Sequence, residues 1–115
     1  MWEYKAKTVR VLDGDSIEVS IDLGFNIWFK EIVRLAGIDA PETRGPTKNA
    51  GLAAKSFLEA LLPAGTLVTL QTQKATVSEK YGRYLARVIL DGLDLSDHMI
   101  IMQHAKPYDG GQRTA

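Results

Sequence analysis

Cysteine is absent from all 115 residues, which excludes a disulfide framework and any thiolate metal site. Also missing is an apolar run approaching the ~20 residues that a membrane-spanning helix needs. Neither charge is in surplus: 14 Lys and Arg balance 14 Asp and Glu, so no overall basic field advertises a polyanionic partner. The opening Met1-Trp2-Glu3-Tyr4-Lys5 lacks the basic-then-apolar layout of a secretory leader. The expectation is a protein acting inside the cell that makes it, or a secreted one whose leader has been removed. No repeat, low-complexity tract or linker divides the sequence. With 45% hydrophobic and 24% charged residues, it has the make-up of one folded domain over residues 1–115.

What is present has a clear period. Residues 4–12, YKAKTVRVL, alternate apolar and polar as a half-buried strand does. Asp13-Gly14-Asp15 turns the chain, and Ser16–Leu23 alternates again, which predicts a hairpin. Gly24 and Asn26 mark a second turn before a third strand over Ile27–Leu35. After the loop APETRGPTKNAG the period changes. Ala54, Phe57, Leu58, Leu61 and Leu62 fall at the spacing of an amphipathic helix, stopped by Pro63 and Gly65. Strands follow over Thr66–Thr72 and Arg83–Leu90, then a turn at Asp91-Gly92. A short helix is expected within residues 95–105, capped by Asp94 or Ser96.

The order βββαββα predicts an α+β, mainly β fold: a small five-stranded barrel of the OB type with two helices. The turn-rich tail from about residue 107 is expected to be loosely ordered. Trp2 and Trp28 read as barrel-packing residues, and Met99, Ile100 and Met102 as core. His98 and His104, six apart on different faces of a helix, do not form a chelating pair.

Four features carry candidate chemistry, and each has an ordinary explanation by itself. Asp13-Gly14-Asp15 suits a turn, yet Asp15 opens the next strand, where aspartate is disfavoured. Arg34 sits inside the apolar run EIVRLAGI, where alternation could simply send it to water. Asp39 and Glu42 bracket Ala40-Pro41, and the proline stiffens that backbone. Arg83 starts a strand at a barrel rim. Taken together, three acids and two arginines gather at strand ends or in the adjoining loop. Hard divalent cations such as calcium are held by carboxylate and carbonyl oxygens with water. The arginine fork matches phosphate oxygens. A carboxylate nearby can orient or deprotonate a water. Every part that metal-assisted phosphodiester hydrolysis requires is in the set.

Three stretches, VRVLDGDSIEV, VRLAGIDAPET and EKYGRYLARV, resemble in order and separation the staphylococcal nuclease (thermonuclease) family, over about Thr8 to Tyr108. The resemblance implies a calcium-dependent endonuclease that cuts DNA and RNA and leaves 3′-phosphates. Separately, a monomer with no membrane partner is expected. It implies that Asp15, Asp39 and the Ala40 backbone carbonyl bind Ca2+ directly, with Asp13 behind them supporting bound water. Arg34 and Arg83 would bind the scissile phosphate, and Glu42 would be the general base or would position the water. Lys80, Tyr81 and Tyr108 would contact the nucleotide, ammonium to phosphate and ring to base.

Against the family pattern, Ala40 replaces a threonine and the stretch from Thr43 to Gly51 is short, with only Arg44 and Lys48 basic. The chain also stops soon after AKPYDGG, where a third helix is expected, and its charge is balanced rather than strongly basic. Two rival expectations remain. A barrel that holds nucleic acid without cutting it has no use for Asp15, Asp39 and Glu42, which repel phosphate. A purely structural domain would scatter the five side chains over different faces.

Overall fold

Side chains alternate along the first strand, β1 (Trp2–Asp13), with Ala6 and Thr8 buried while Lys5 and Lys7 stay exposed. That period pins one face to a core. The computed structural model describes residues 2–72 and 84–108; Lys80, Tyr81 and Arg83 lie outside the described residues. β1 pairs antiparallel with β2 (Ser16–Asp22), and β2 with β3 (Trp28–Leu35). Two register shifts in β1, at Thr8/Arg10 and Val11/Asp13, bend and coil it. On its other edge β1 takes β5 (Leu67–Thr72), which pairs with β6 (Tyr84–Leu90). β6 then runs parallel to β3, with Val33 opposite Tyr84 and Leu35 opposite Ala86. This last pairing closes a five-stranded mixed barrel.

The barrel is filled by Ile17, Val19, Val33, Leu35, Leu70 and Val88, all essentially inaccessible. Helix α1 (Lys48–Leu61) adds Ala54 and Leu58 to this core, and α2 (Leu95–Ile101) adds Leu95 and Met99. Among the described residues there are also three two-residue strands: β4 (Ile38–Asp39), β7 (Leu93–Asp94) and β8 (Lys106–Pro107). β7 pairs with β6, while β4 pairs with β8. Asp94 is the α2 cap, its carboxylate accepting the Ser96 N–H at 2.9 Å. The Ser96 hydroxyl instead donates to the Ala36 carbonyl at 2.6 Å, which ties α2 to the turn after β3.

Several expectations need correction. The loop drawn through Gly51 is partly helical, since a 3-10 turn covers Gly45–Thr47 and α1 starts at Lys48. α2 ends at Ile101, leaving Met102 half exposed and outside the core; Met99 is fully buried and Ile100 half-buried. Trp2 and Trp28 are 47% and 45% exposed: Trp2 opens β1, and Trp28 lies on the outer face of β3, opposite in parity to the core residues Val33 and Leu35. His98 and His104 both lie against the Phe57 ring, at 5.5 and 4.7 Å between centroids. The tail is held farther than expected, with Lys106–Pro107 paired to β4.

Candidate active site

The turn between β1 and β2 is built by its own side chain. Asp13 Oδ1 accepts the Asp15 N–H at 3.1 Å, an Asx arrangement that sets the hairpin. Gly14 lies flat on its neighbours: a Cβ there would come within 2.7 Å of the Ala54 Cβ and 2.9 Å of the Ala40 Cβ. The turn thus presses against α1 and against the segment after β4, which brings Asp15 to Ala40. Asp15 is only 7% exposed. Its Oδ2 accepts the Ala40 N–H at 2.9 Å, and its Oδ1 accepts the Ser16 hydroxyl at 3.3 Å.

Arg34 is 8% exposed, so the reading that sent it to water is overturned. Its neighbours Val33 and Leu35 enter the core, so alternation does turn Arg34 outward from the barrel. Outward is not solvent here, because the tail folds over it. β4 and β8 pair Asp39 with Lys106, and the Tyr108 N–H donates to the Gly37 carbonyl at 2.8 Å. Under that cover Arg34 Nη2 donates to the Ile38 carbonyl at 2.9 Å, to Asp39 Oδ1 at 3.3 Å and to Asp15 Oδ2 at 3.5 Å. The guanidinium carbon lies 5.1 Å from the centre of the Tyr108 ring. Asp15, Asp39, Ala40, Arg34 and Tyr108 therefore converge on one spot, with Asp13 directly behind.

Among the described residues, Arg34 Nε is buried without a hydrogen-bond partner. Leaving such a donor unmade costs about 1–3 kcal/mol, more when charged, so its natural complement is an incoming anion. The acids show the opposite need. Burial, then hydrogen bonding and repulsion from Asp13, push the Asp15 carboxyl from 3.8 up to about 6, against the Ala40 N–H and Arg34, which lower it. A second positive charge at Asp15 would relieve this.

Glu42 is exposed, but its backbone is fixed. The Thr47 hydroxyl donates to the Glu42 carbonyl at 3.0 Å, and Gly51 of α1 lies directly beneath. A Cβ at Gly51 would overlap the Glu42 carbonyl and stand 2.8 Å from the Thr43 nitrogen. This positioning role of Gly51 was missed in the sequence. Its signal was there: a glycine inside a helix costs about 1 kcal/mol relative to alanine and is kept where a backbone comes close. Gly51→Ala should accordingly reverse the usual sign. We expect a loss of about 1–3 kcal/mol in thermal unfolding. A stabilised Gly51→Ala protein would contradict the contact.

The oxygen donors suit a hard cation. Asp15 and Asp39 both lie within 3.5 Å of one nitrogen, Arg34 Nη2, so their carboxylates face a common point beside Ala40. Among the described residues no cluster of three or more His, Cys, Asp or Glu could hold a metal. The carboxylates that meet at this point are two, Asp15 and Asp39.

A closed five-stranded mixed barrel with two helices, carrying a buried arginine between two aspartates, is a barrel of the OB type. Residues 32–112 match the staphylococcal nuclease homologue family, and the chain belongs to that family. It is 34% identical over 98 residues to an uncharacterized protein of Bacillus anthracis, a match covering 83% of this chain and 43% of that protein. An uncharacterized protein of Methanocaldococcus jannaschii is 26% identical over 128 residues, covering 91% of this chain and 59% of its own length. The chain thus spans about half the length of these relatives, at 43% and 59%. Among the described residues no helix is long and apolar enough to cross a membrane.

Proposed function

We propose that the protein is a calcium-dependent nuclease that hydrolyses phosphodiester bonds of DNA and RNA to 3′-phosphate products. The observation that carries this reading is Arg34: buried, aligned by Asp15, Asp39 and the Ile38 carbonyl, and left with an unpartnered Nε–H. Asp15, Asp39 and the Ala40 carbonyl would hold Ca2+, which when bound polarises a phosphate oxygen and neutralises charge. Asp13 sets the turn that aims Asp15.

Arg34 donates from Nε and its outer nitrogen to the phosphate oxygens, an interaction that strengthens as charge builds in the transition state. The Tyr108 ring holds the guanidinium plane from one side. Glu42, on its fixed backbone, positions a water and takes its proton as the water oxygen bonds to phosphorus. The bond from phosphorus to the 5′-oxygen breaks, and that oxygen takes a proton from solvent. Arg83, Lys80 and Tyr81 have the same roles here that the resemblance implies for them.

The test is digestion of single- and double-stranded DNA with calcium and with a chelator. Cleavage that stops on chelation and returns with calcium is the expected outcome. Cleavage indifferent to chelation removes the metal from the reading. Tight binding without turnover, unmoved by calcium, would replace it with a binding module.

A further inference from the structure

Trp28, Lys30, Ile32 and Arg34 are alternate residues of β3, and the core positions Val33 and Leu35 fix their face as the outer one. Along the strand Lys30 lies about 13 Å from Arg34, and Trp28 about 20 Å. The neighbouring strands continue this surface. Ser20 stands opposite Lys7 on one side and Lys30 on the other, so two exposed lysines flank a small hydroxyl. Lys7 Nζ sits 5.0 Å over the half-exposed Trp28 ring. Lys5 lies on the same face, near Thr69.

Of the acids on this face, Glu18 is paired with Arg10 at 2.9 Å, Asp22 accepts the Gly24 N–H at 2.8 Å, and Glu3, at the far end of β1, accepts from the Gln71 amide at 2.8 Å. A chain with no net charge therefore sets Lys5, Lys7, Lys30 and Arg10 against three acids on this face, each of them hydrogen-bonded, beside an open indole, and leaves Lys7 and Lys30 nearest the ring's strand. In barrels of this type oligonucleotides lie along the outer face of the second and third strands.

We infer that Lys7, Lys30 and Trp28 form a second binding subsite for single-stranded nucleic acid flanking the scissile phosphate. The lysines take backbone phosphates and the indole stacks a base. The inference rests on the nuclease reading and deepens it: the substrate is a strand long enough to reach about 20 Å from Arg34. A lipid surface could also meet these lysines through the apolar hairpin tip, where Phe25 is 96% exposed. The strip favours nucleic acid because it leads straight to Arg34 and presents a stackable ring.

The experiment compares a labelled thymidylate 12-mer with thymidine 3′,5′-bisphosphate, both with calcium. Binding is measured in a Glu42→Gln background by anisotropy and competition over a salt series, and turnover in the otherwise unmodified chain. Lys7→Glu with Lys30→Glu should weaken the 12-mer at least tenfold, and Lys7→Gln with Lys30→Gln should lower its salt slope by about 1.4. Trp28→Ala should weaken it about tenfold. Bisphosphate binding and melting temperature should hold, since the side chains are exposed and far from Arg34.

Equal 12-mer binding and turnover by all variants, in a protein that still cuts, would overturn the subsite alone. Should the unmodified protein neither bind nor cut, the nuclease reading falls and the subsite with it. Retention on phosphatidylglycerol vesicles that the glutamate variants abolish, with 12-mer affinity unchanged, would overturn it in favour of lipid.

Discussion

Arg34→Ala will cut single-stranded DNA about 10²–10³-fold more slowly than the unmodified protein at saturating calcium, the loss typical of one donor to a developing oxyanion. The same truncation has a structural side. Nη2 is the shared donor for Asp15, Asp39 and the Ile38 carbonyl, so its removal leaves two carboxylates facing each other without their cation. Breaking a buried pair in this way costs about 3–5 kcal/mol. A slow Arg34→Ala protein could therefore be slow because it is unfolded.

Arg34→Lys separates the two effects. An ammonium keeps the positive charge between the aspartates but lacks the planar fork, so it cannot satisfy Ile38 and grip two phosphate oxygens together. The lysine variant should melt near the parent while kcat falls steeply and KM moves little, the mark of an interaction made in the transition state. Calcium affinity should not fall in Arg34→Ala, since a cation beside the carboxylates has been removed. A folded Arg34→Lys protein with full kcat would remove Arg34 from the chemistry.

The barrel was legible because its strands obey period 2 over enough residues to show it, and α1 because Ala54 and Leu58 recur at helical spacing. β4 and β8 were not legible. Two residues carry no period, and their pairing exists only because the tail returns to the barrel. That invisible cover is also why the burial of Arg34 stayed open: alternation correctly turned it away from Val33 and Leu35, and only tertiary structure closes water off from the outer face. Trp2, Trp28 and Met102 failed for a different reason. Large apolar residues need not all point inward, and a strand start, an outer face and a helix end leave these three half exposed.

Convergence of Asp15, Asp39, Ala40 and Arg34 was readable from chemistry, since no turn or surface strand needs that combination. Tyr108 was expected at the nucleotide; its N–H bond to Gly37 and its ring beside Arg34 depend on the return of the tail, which no local pattern shows. Glu42 was readable as an acid, and Gly51 beneath it was not, because close approach of two backbones leaves only a glycine where an alanine would serve the helix better.

Asp15→Asn should abolish cleavage and at the same time stabilise the metal-free protein at pH 8, raising its melting temperature by about 5–10 °C. The folded chain holds the Asp15 proton up to about pH 6, whereas its ordinary value is 3.8, with burial the first cause and Asp13 the second. Between those values the folded state keeps a proton that the unfolded state has released, so stability falls as pH rises through the window and levels off above it. For this one group the loss approaches about 3 kcal/mol. Asparagine retains an oxygen for the Ala40 N–H and removes the charge that burial and Asp13 oppose. Calcium acts on the same term from the other side: bound only by the folded chain, it adds about 2.7 kcal/mol at a hundredfold excess over Kd. Melting curves of both proteins at pH 4.5 and 8, each with chelator and with calcium, give the answer as a difference that cancels the remaining carboxylates. The parent should lose stability across that interval in chelator and regain it with calcium, while the asparagine variant shows neither response. An Asp15→Asn protein that melts below the parent at pH 8 in chelator would mean that Asp15 is held as a structural ion pair with Arg34, and not as a carboxylate poised for a second cation.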